Sequence, residues 1–327
     1  MSEPTSPTHH FIQLEVPTWF WILYHVIIAA FIVVDLVAGL RRKEMTLKEA
    51  GRWVAIWISI GCAFGLIIYL MSGNLEAMAL YYAAYVVEYS LSMDNLFVFA
   101  VIFSYFSVPI LAQPIVLYVG IITAIILRAS FIYGGLWLIE QYHWTIFIFG
   151  AVLIYSGYKL LRAGEVKVDP AKNPVVRAAK KILPLSDFYD GAKFIVRSRD
   201  NGKTKWLFTP LILTLACIET TDVVFAFDSV PAVIAITMNF FIAYTSNISA
   251  ILGLRSLYFL IALTMFRFKY VGQALSMILI FLGIKMILGG LNILEIPTWA
   301  SLTVVFSLLF GAIILSIIRR KTKEQSL

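Results

Sequence analysis

Residues 88–100 read EYSLSMDNLFVFA. The stretch lies within a long apolar run, so Glu88 and Asp94 stand where water is expected to be absent. A charged side chain at the centre of a membrane helix costs about 2.5–3.5 kcal/mol on insertion scales. What the two carboxylates are for depends first on whether the run around them is a membrane span.

Composition answers that. Of 327 residues 61% are hydrophobic and 14% charged, against roughly a quarter charged in ordinary globular domains. Apolar runs of about 20 residues recur along the chain, the mark of spanning helices. The short alternating segments of a β-barrel are not seen. The net charge of +7 could suggest nucleic-acid binding, but Lys and Arg gather in a few short hydrophilic loops, so no nucleic-acid partner is expected. Residues 1–16 hold no Lys or Arg, which argues against a cleavable signal. Cys62 and Cys217 both fall in apolar runs, so a disulfide framework or thiolate zinc site is not expected.

Nine spans are expected, at about 17–40, 53–71, 77–103, 114–139, 145–162, 207–237, 248–267, 271–290 and 298–318. The segments after spans 1, 5, 7 and 9 are basic, with ten Lys and Arg in 163–206, whereas the loops after spans 2, 4, 6 and 8 hold none. The positive-inside rule then puts the amino terminus outside and the carboxyl terminus inside. The organisation is an external tail (1–16), two accessory spans (17–71), a three-helix unit (77–162), a basic cytoplasmic loop (163–206), a second three-helix unit (207–290), a last span (298–318) and a cytoplasmic tail (319–327). The loop 163–206 reads as a plain linker with short helices, or as a docking surface for a partner protein.

The two three-helix units share an order of landmarks. Glu88 and Asp94 are six residues apart in span 3, as are Asp222 and Asp228 in span 6. Arg128 lies inside span 4 and Arg255 inside span 7; Gly157 and Lys159 end span 5, as Gly283 and Lys285 lie in span 8. The first unit starts outside and the second inside, so spans 3–5 and 6–8 are expected to be inverted repeats, which place sites near the bilayer midplane in secondary transporters.

Glu88, Asp94, Glu219, Asp222 and Asp228 outnumber the interior cations Arg128, Arg255 and Lys285. Buried ion pairs account for some of them, with the cations as counter-charges or gates. Surplus negative charge in a low-dielectric interior invites a cation or protons. Carboxylate and amide oxygens, Asn95 included, suit a hard divalent ion. Met93 offers either plain packing or a thioether favouring Mn²⁺. Asp35 lies near the basic loop and either reaches the interface or takes part. On a regular helix a six-residue step turns about 240°, so each acid pair either serves two directions or flanks a break; Pro231 points to a break or kink in span 6. No catalytic Ser-His constellation or nucleotide-binding loop accompanies the acids, so an enzyme is not expected.

"EYSLSMDNLFVF" with "FSYFSVP", and later "IETTDVVFAFDSVPAVIAIT", are similar to the two signature segments of the TerC/Alx family of bacterial membrane proteins. The resemblance implies an inner-membrane exporter of metal ions, most often manganese, with Glu88, Asp94 and Asn95 as one acidic signature and Glu219, Asp222, Asp228, Ser229 and Pro231 as the other. The function expected is export of Mn²⁺ as substrate, coupled to protons, with no resident cofactor. The alternatives are a helper for exoenzyme metalation or membrane-protein assembly, or a tellurite- or pH-stress protein moving another ion.

Overall fold

The computed structural model describes residues 14, 16–40, 46–163, 169–200, 203–264 and 270–324. Most of the amino-terminal tail, expected to be external, the Arg41–Met45 stretch and the last three residues lie outside these. Among the described residues nine helical segments are long and apolar enough to cross a membrane. The chain is thus a multi-pass helical membrane protein, built of α1 (Thr18–Leu40), α2 (Leu47–Ser72), α3 (Leu75–Tyr105), α4 (Gln113–Gln141), α5 (Thr145–Ala163), α6 (Pro174–Ile182), α7 (Pro210–Ile236), α8 (Phe240–Leu252), α9 (Leu254–Thr264), α10 (Val271–Gly290) and α11 (Thr298–Glu324).

Local chemistry sets the boundaries. Thr46 and Glu49 form a reciprocal capping box at the start of α2, which ends at Gly73 with φ +64°, a left-handed position that glycine fills without strain. Asn74 accepts from the backbone N–H groups of Glu76 and Ala77 to open α3 at once, so α2 and α3 form a tight antiparallel hairpin. Pro114 sits in the first turn of α4, where its missing N–H costs nothing.

Two expectations about the spans change. The seventh span starts at Phe240, not near 248, because Asn239 caps a helix there. Its Thr245, Ser246, Asn247 and Ser249 are buried, so the polar run read as an external loop faces the bundle interior. Of the break or kink expected at Pro231, the break is absent: α7 is one helix across that proline. The interrupted span is the seventh, where α8 gives way to α9 at Gly253.

The segment 163–206 is not a plain linker. After a 3₁₀ turn at Pro170–Lys172 and α6 it forms an antiparallel hairpin, β1 (Ile195–Asp200) with β2 (Lys203–Phe208). Tyr189 donates to the carbonyl of Phe106 at 2.5 Å, tying the segment to the end of α3. The hairpin was missed because "IVRSRDNGKTKWLF" lacks the apolar periodicity that dominates elsewhere, although its Asn201-Gly202 is a common hairpin turn pair.

The α8–α9 span is 83% buried, against 17% for α1 and 22% for α11. The broken span therefore sits at the centre and the terminal spans at the rim. Side chains such as Ile22, Val26 and Val33 of α1 point outward, as lipid-facing positions do. Packing between membrane helices draws on close contact of small residues, and α5 and α10 show it. A Cβ added to Gly157 would lie 2.6 Å from the carbonyl oxygen of Ser276 and 2.8 Å from Ile280 Cγ1; one added to Gly283 would meet Gly150 and Ile154 at the same two distances. The two helices run antiparallel and touch reciprocally through matching positions.

Candidate functional site

Glu88, Ser92 and Asn95 lie on one stripe of α3, at i, i+4 and i+7, and all three are buried. On α7 Asp222 and Ser229 share a stripe by the same seven-residue spacing. The middle residues of α3, α4 and α7 are Ser90, Leu127 and Val223, so Glu88, Arg128 and Asp222 all sit within two residues of mid-helix. The polar groups of three helices thus meet at one depth.

Arg128 ties them together with a side chain only 1% exposed. Its Nη1 donates to Glu88 Oε1, and more loosely to Asn247 Oδ1 at 3.4 Å and Ser229 Oγ at 3.5 Å; its Nη2 donates to Asp222 Oδ1 at 3.3 Å. Asn247 Nδ2 donates to Glu88 Oε2 at 2.9 Å, and Ser92 Oγ to Glu88 Oε1 at 3.2 Å. Glu88 is therefore fully answered and Asp222 half answered.

Beside this network runs a narrow cleft whose polar lining is Asn95, Arg128, Glu219, Asp222 and Arg255, closed by apolar side chains such as Phe99 and Leu117. Both carboxylate oxygens of Glu219 and Oδ2 of Asp222 are buried with no partner in hydrogen-bond geometry among the described residues; the Thr123 hydroxyl of α4, near Glu219, donates to the carbonyl of Val119. Glu219 lies over the backbone of α4, since a Cβ at Gly120 would come 3.7 Å from its Oε1. A buried carboxylate without a partner is costly by several kcal/mol. The two acids stand at i and i+3 on α7, and both line that cleft.

Arg255 borders the cleft, yet its charge is answered elsewhere. Its Nε donates to Asp35 Oδ2 at 2.9 Å and its Nη2 to Asp35 Oδ1; Tyr118 Oη donates to Asp35 Oδ2 at 2.9 Å, and the guanidinium carbon lies 5.1 Å from the Tyr118 ring centroid. Asp35 is 2% exposed and points into the bundle; its bonds to Tyr118 and Arg255 hold α1 to α4 and α9.

Several expected positions fall outside the cluster. Asp228 points the other way from Asp222 and accepts from Ser156 of α5, so α7 serves two contact directions, as a 240° step requires. Lys285 donates to the carbonyl of Ala235 at 3.4 Å and lines a separate small cavity with Leu80 and Thr298; the structure does not bring it to the carboxylates as a counter-charge. Met93 packs against an apolar cluster that includes Leu96 and Leu254. Asp94 lies in α3, but its side chain is outside what is described. Among the described residues no group of three His, Cys, Asp or Glu is gathered closely enough to hold a metal ion.

Asn247 and Tyr118 were not singled out from sequence. The signal for Asn247 was there: "NFFIAYTSNISAIL" carries no charge, Gly or Pro after its capping Asn239. Nothing local marks Tyr118, whose role appears only when α1 and α9 come together.

A family model described as "Integral membrane protein TerC family" matches residues 73–324. The chain belongs to the TerC family. An uncharacterized membrane protein of Rickettsia felis is 40% identical over 301 residues, covering 92% of this chain and 98% of that one. A relative in Escherichia coli (strain K12), named "Putative membrane-bound redox modulator Alx", is 39% identical over 305 residues, 90% and 93% of the two chains. An uncharacterized membrane protein of Myxococcus xanthus is 36% identical over 302 residues, 92% of each. No solved structure matches. The family match spans the Arg128 network and the residues lining the cleft, whereas Asp35 lies ahead of it.

Proposed function

We propose that this chain is a secondary transporter, not an enzyme, that exports a divalent metal cation with Mn²⁺ as the leading candidate, coupled to protons, across the bacterial inner membrane. The observation that carries the reading is the pair Glu219 and Asp222, whose buried oxygens face the mid-span cleft without partners. Hard oxygen donors suit Mn²⁺, Mg²⁺ and Ca²⁺. Asn95 adds an amide oxygen at the cleft wall, and Asp94 belongs to the ligand set in this reading.

In the site Arg128 is the internal counter-ion, shared between Glu88 and Asp222. A divalent ion arriving at Asp222 competes with the guanidinium for that carboxylate. When the ion leaves, protons or Arg128 again balance the acids, which supplies a physical basis for exchange of metal against H⁺. The reciprocal glycine contacts of α5 and α10 support a two-fold relation between the two three-helix units, with the amino terminus outside and inverted repeats giving alternating access. The Escherichia coli relative is named "Putative membrane-bound redox modulator Alx"; a redox role of that kind built on a dithiol finds less support here, because Cys62 is exposed on α2, Cys217 is buried on α7 and both are free thiols.

The test is uptake of radioactive Mn²⁺ into proteoliposomes, with and without a pH gradient, for wild type, Glu219→Gln, Asp222→Asn and Asp94→Asn. Flux in wild type that accelerates with the gradient and collapses in the variants is expected. Absence of wild-type flux under both conditions overturns the transporter reading; unchanged flux in the variants overturns the site.

A further inference from the structure

The nine residues of α6 divide into three faces by helical phase. Val176 and Ala179, with Leu183 just beyond, form one face, and Val176 packs into the apolar cluster shared with Leu211 and Cys217 of α7. Arg177, Lys180 and Lys181 form a second, exposed basic face about a third of a turn away. Between them Val175, Ala178 and Ile182 form a third stripe, apolar yet uncovered, with Ile182 77% exposed and Val175 45%. The apolar half of α6 is therefore wider than the protein covers.

The depth of α6 says what covers the rest. Asn173, which caps α6, lies 3.8 Å from Cys217 Sγ through its Nδ2. Cys217 is seven residues into α7, about 10 Å along its axis from Pro210. The start of α6 therefore packs beside α7, about two turns in from that helix's amino-terminal end. An amphipathic helix there, with Lys and Arg on one side and branched apolar residues on the other, has the form of an in-plane interfacial helix.

We propose that α6 is a membrane-surface anchor: its Val175–Ile182 stripe enters the acyl boundary of the bilayer, while Arg177, Lys180 and Lys181 bind the phosphates of anionic phospholipids. The stripe is exposed beside a basic face, and basic residues near an anionic lipid surface are attracted to it. The anchor would hold the 169–208 segment against the end of α3 and the first turns of α7 without a protein partner.

The full chain, with Cys62→Ser to remove the exposed thiol, is reconstituted into phosphatidylcholine bilayers with and without phosphatidylglycerol. A nitroxide is attached at Ile182→Cys or, separately, at Lys180→Cys, and its collision rates with oxygen and with a water-soluble nickel chelate are compared. The expected result is an oxygen-to-nickel ratio several-fold higher at position 182 than at 180, rising further with phosphatidylglycerol. In an Arg177→Gln/Lys181→Gln background the rise with anionic lipid disappears. A label at 182 as open to nickel as one at 180 overturns the anchor and leaves the stripe to a protein partner. A ratio at 182 indifferent to phosphatidylglycerol overturns the headgroup assignment. All substituted side chains are exposed, so the fold is not at stake, and neither readout depends on transport.

Discussion

Replacing Arg128 by Met removes the one cation that answers both Glu88 and Asp222 while keeping a side chain of similar length. Hydrogen bonds to charged groups contribute about 1.5–3 kcal/mol each, and Arg128 makes two to carboxylates besides the long contacts to Ser229 and Asn247. Ser92 and Asn247 still donate to Glu88 in the variant, so the loss should fall in the range of about 3–5 kcal/mol typical of one partner removed from a buried ion pair. Unfolding in mixed detergent micelles, followed by circular dichroism against the mole fraction of denaturing detergent, measures it. The cycle is completed with Glu88→Gln and the double variant. Neutralising Glu88 removes part of the uncompensated charge, so the double variant should lose less than the sum of the singles, with an interaction energy of about 1–3 kcal/mol. Arg128→Lys should not restore stability, since a single ammonium lacks the planar fork that reaches several partners. A loss below about 1 kcal/mol for Arg128→Met, against that 3–5 kcal/mol expectation, or strict additivity in the cycle would refute the central ion-pair account.

Two further outcomes follow from the packing. Gly157→Ala and Gly283→Ala each bring a methyl within 2.6 Å of a facing carbonyl oxygen, so each should destabilise by about 1–3 kcal/mol. Gly134→Ala, with nothing within 4 Å of its added carbon, should leave the same detergent unfolding curve unchanged; equal behaviour of the three would contradict the close approach of α5 and α10. Asp35→Asn removes the charge facing Arg255, and it should cost more than Tyr118→Phe, which takes away one hydrogen bond worth about 1 kcal/mol. Limited proteolysis after α1 reads the release of that helix, and a cut site equally protected in Asp35→Asn and wild type would overturn the tie.

The spans and the acids could be read from the chain alone because their signals are local. A carboxylate in an apolar run is expensive wherever the run packs, so Glu88, Glu219, Asp222 and Arg128 declared themselves before any neighbour was known. The seven-residue step from Glu88 to Asn95, or from Asp222 to Ser229, needs only the helix pitch. Partner choice is different, because it depends on the phase and placement of helices far apart in sequence. Arg255 could have faced the acids of α3 or α7; packing of α1 against α4 and α9 gave it to Asp35 instead. Asp228 matched Asp94 by spacing, yet the 240° step from Asp222 turns it to Ser156 on α5. Asn247 read as loop because a polar run costs the same in water whether or not a bundle later encloses it. Sequence determined which residues are costly in a membrane, since that cost is set by the side chain and its local run. Only the tertiary structure decided which of them answer one another and which, as Glu219 does, face the cleft without a partner, since pairing is a property of geometry between helices.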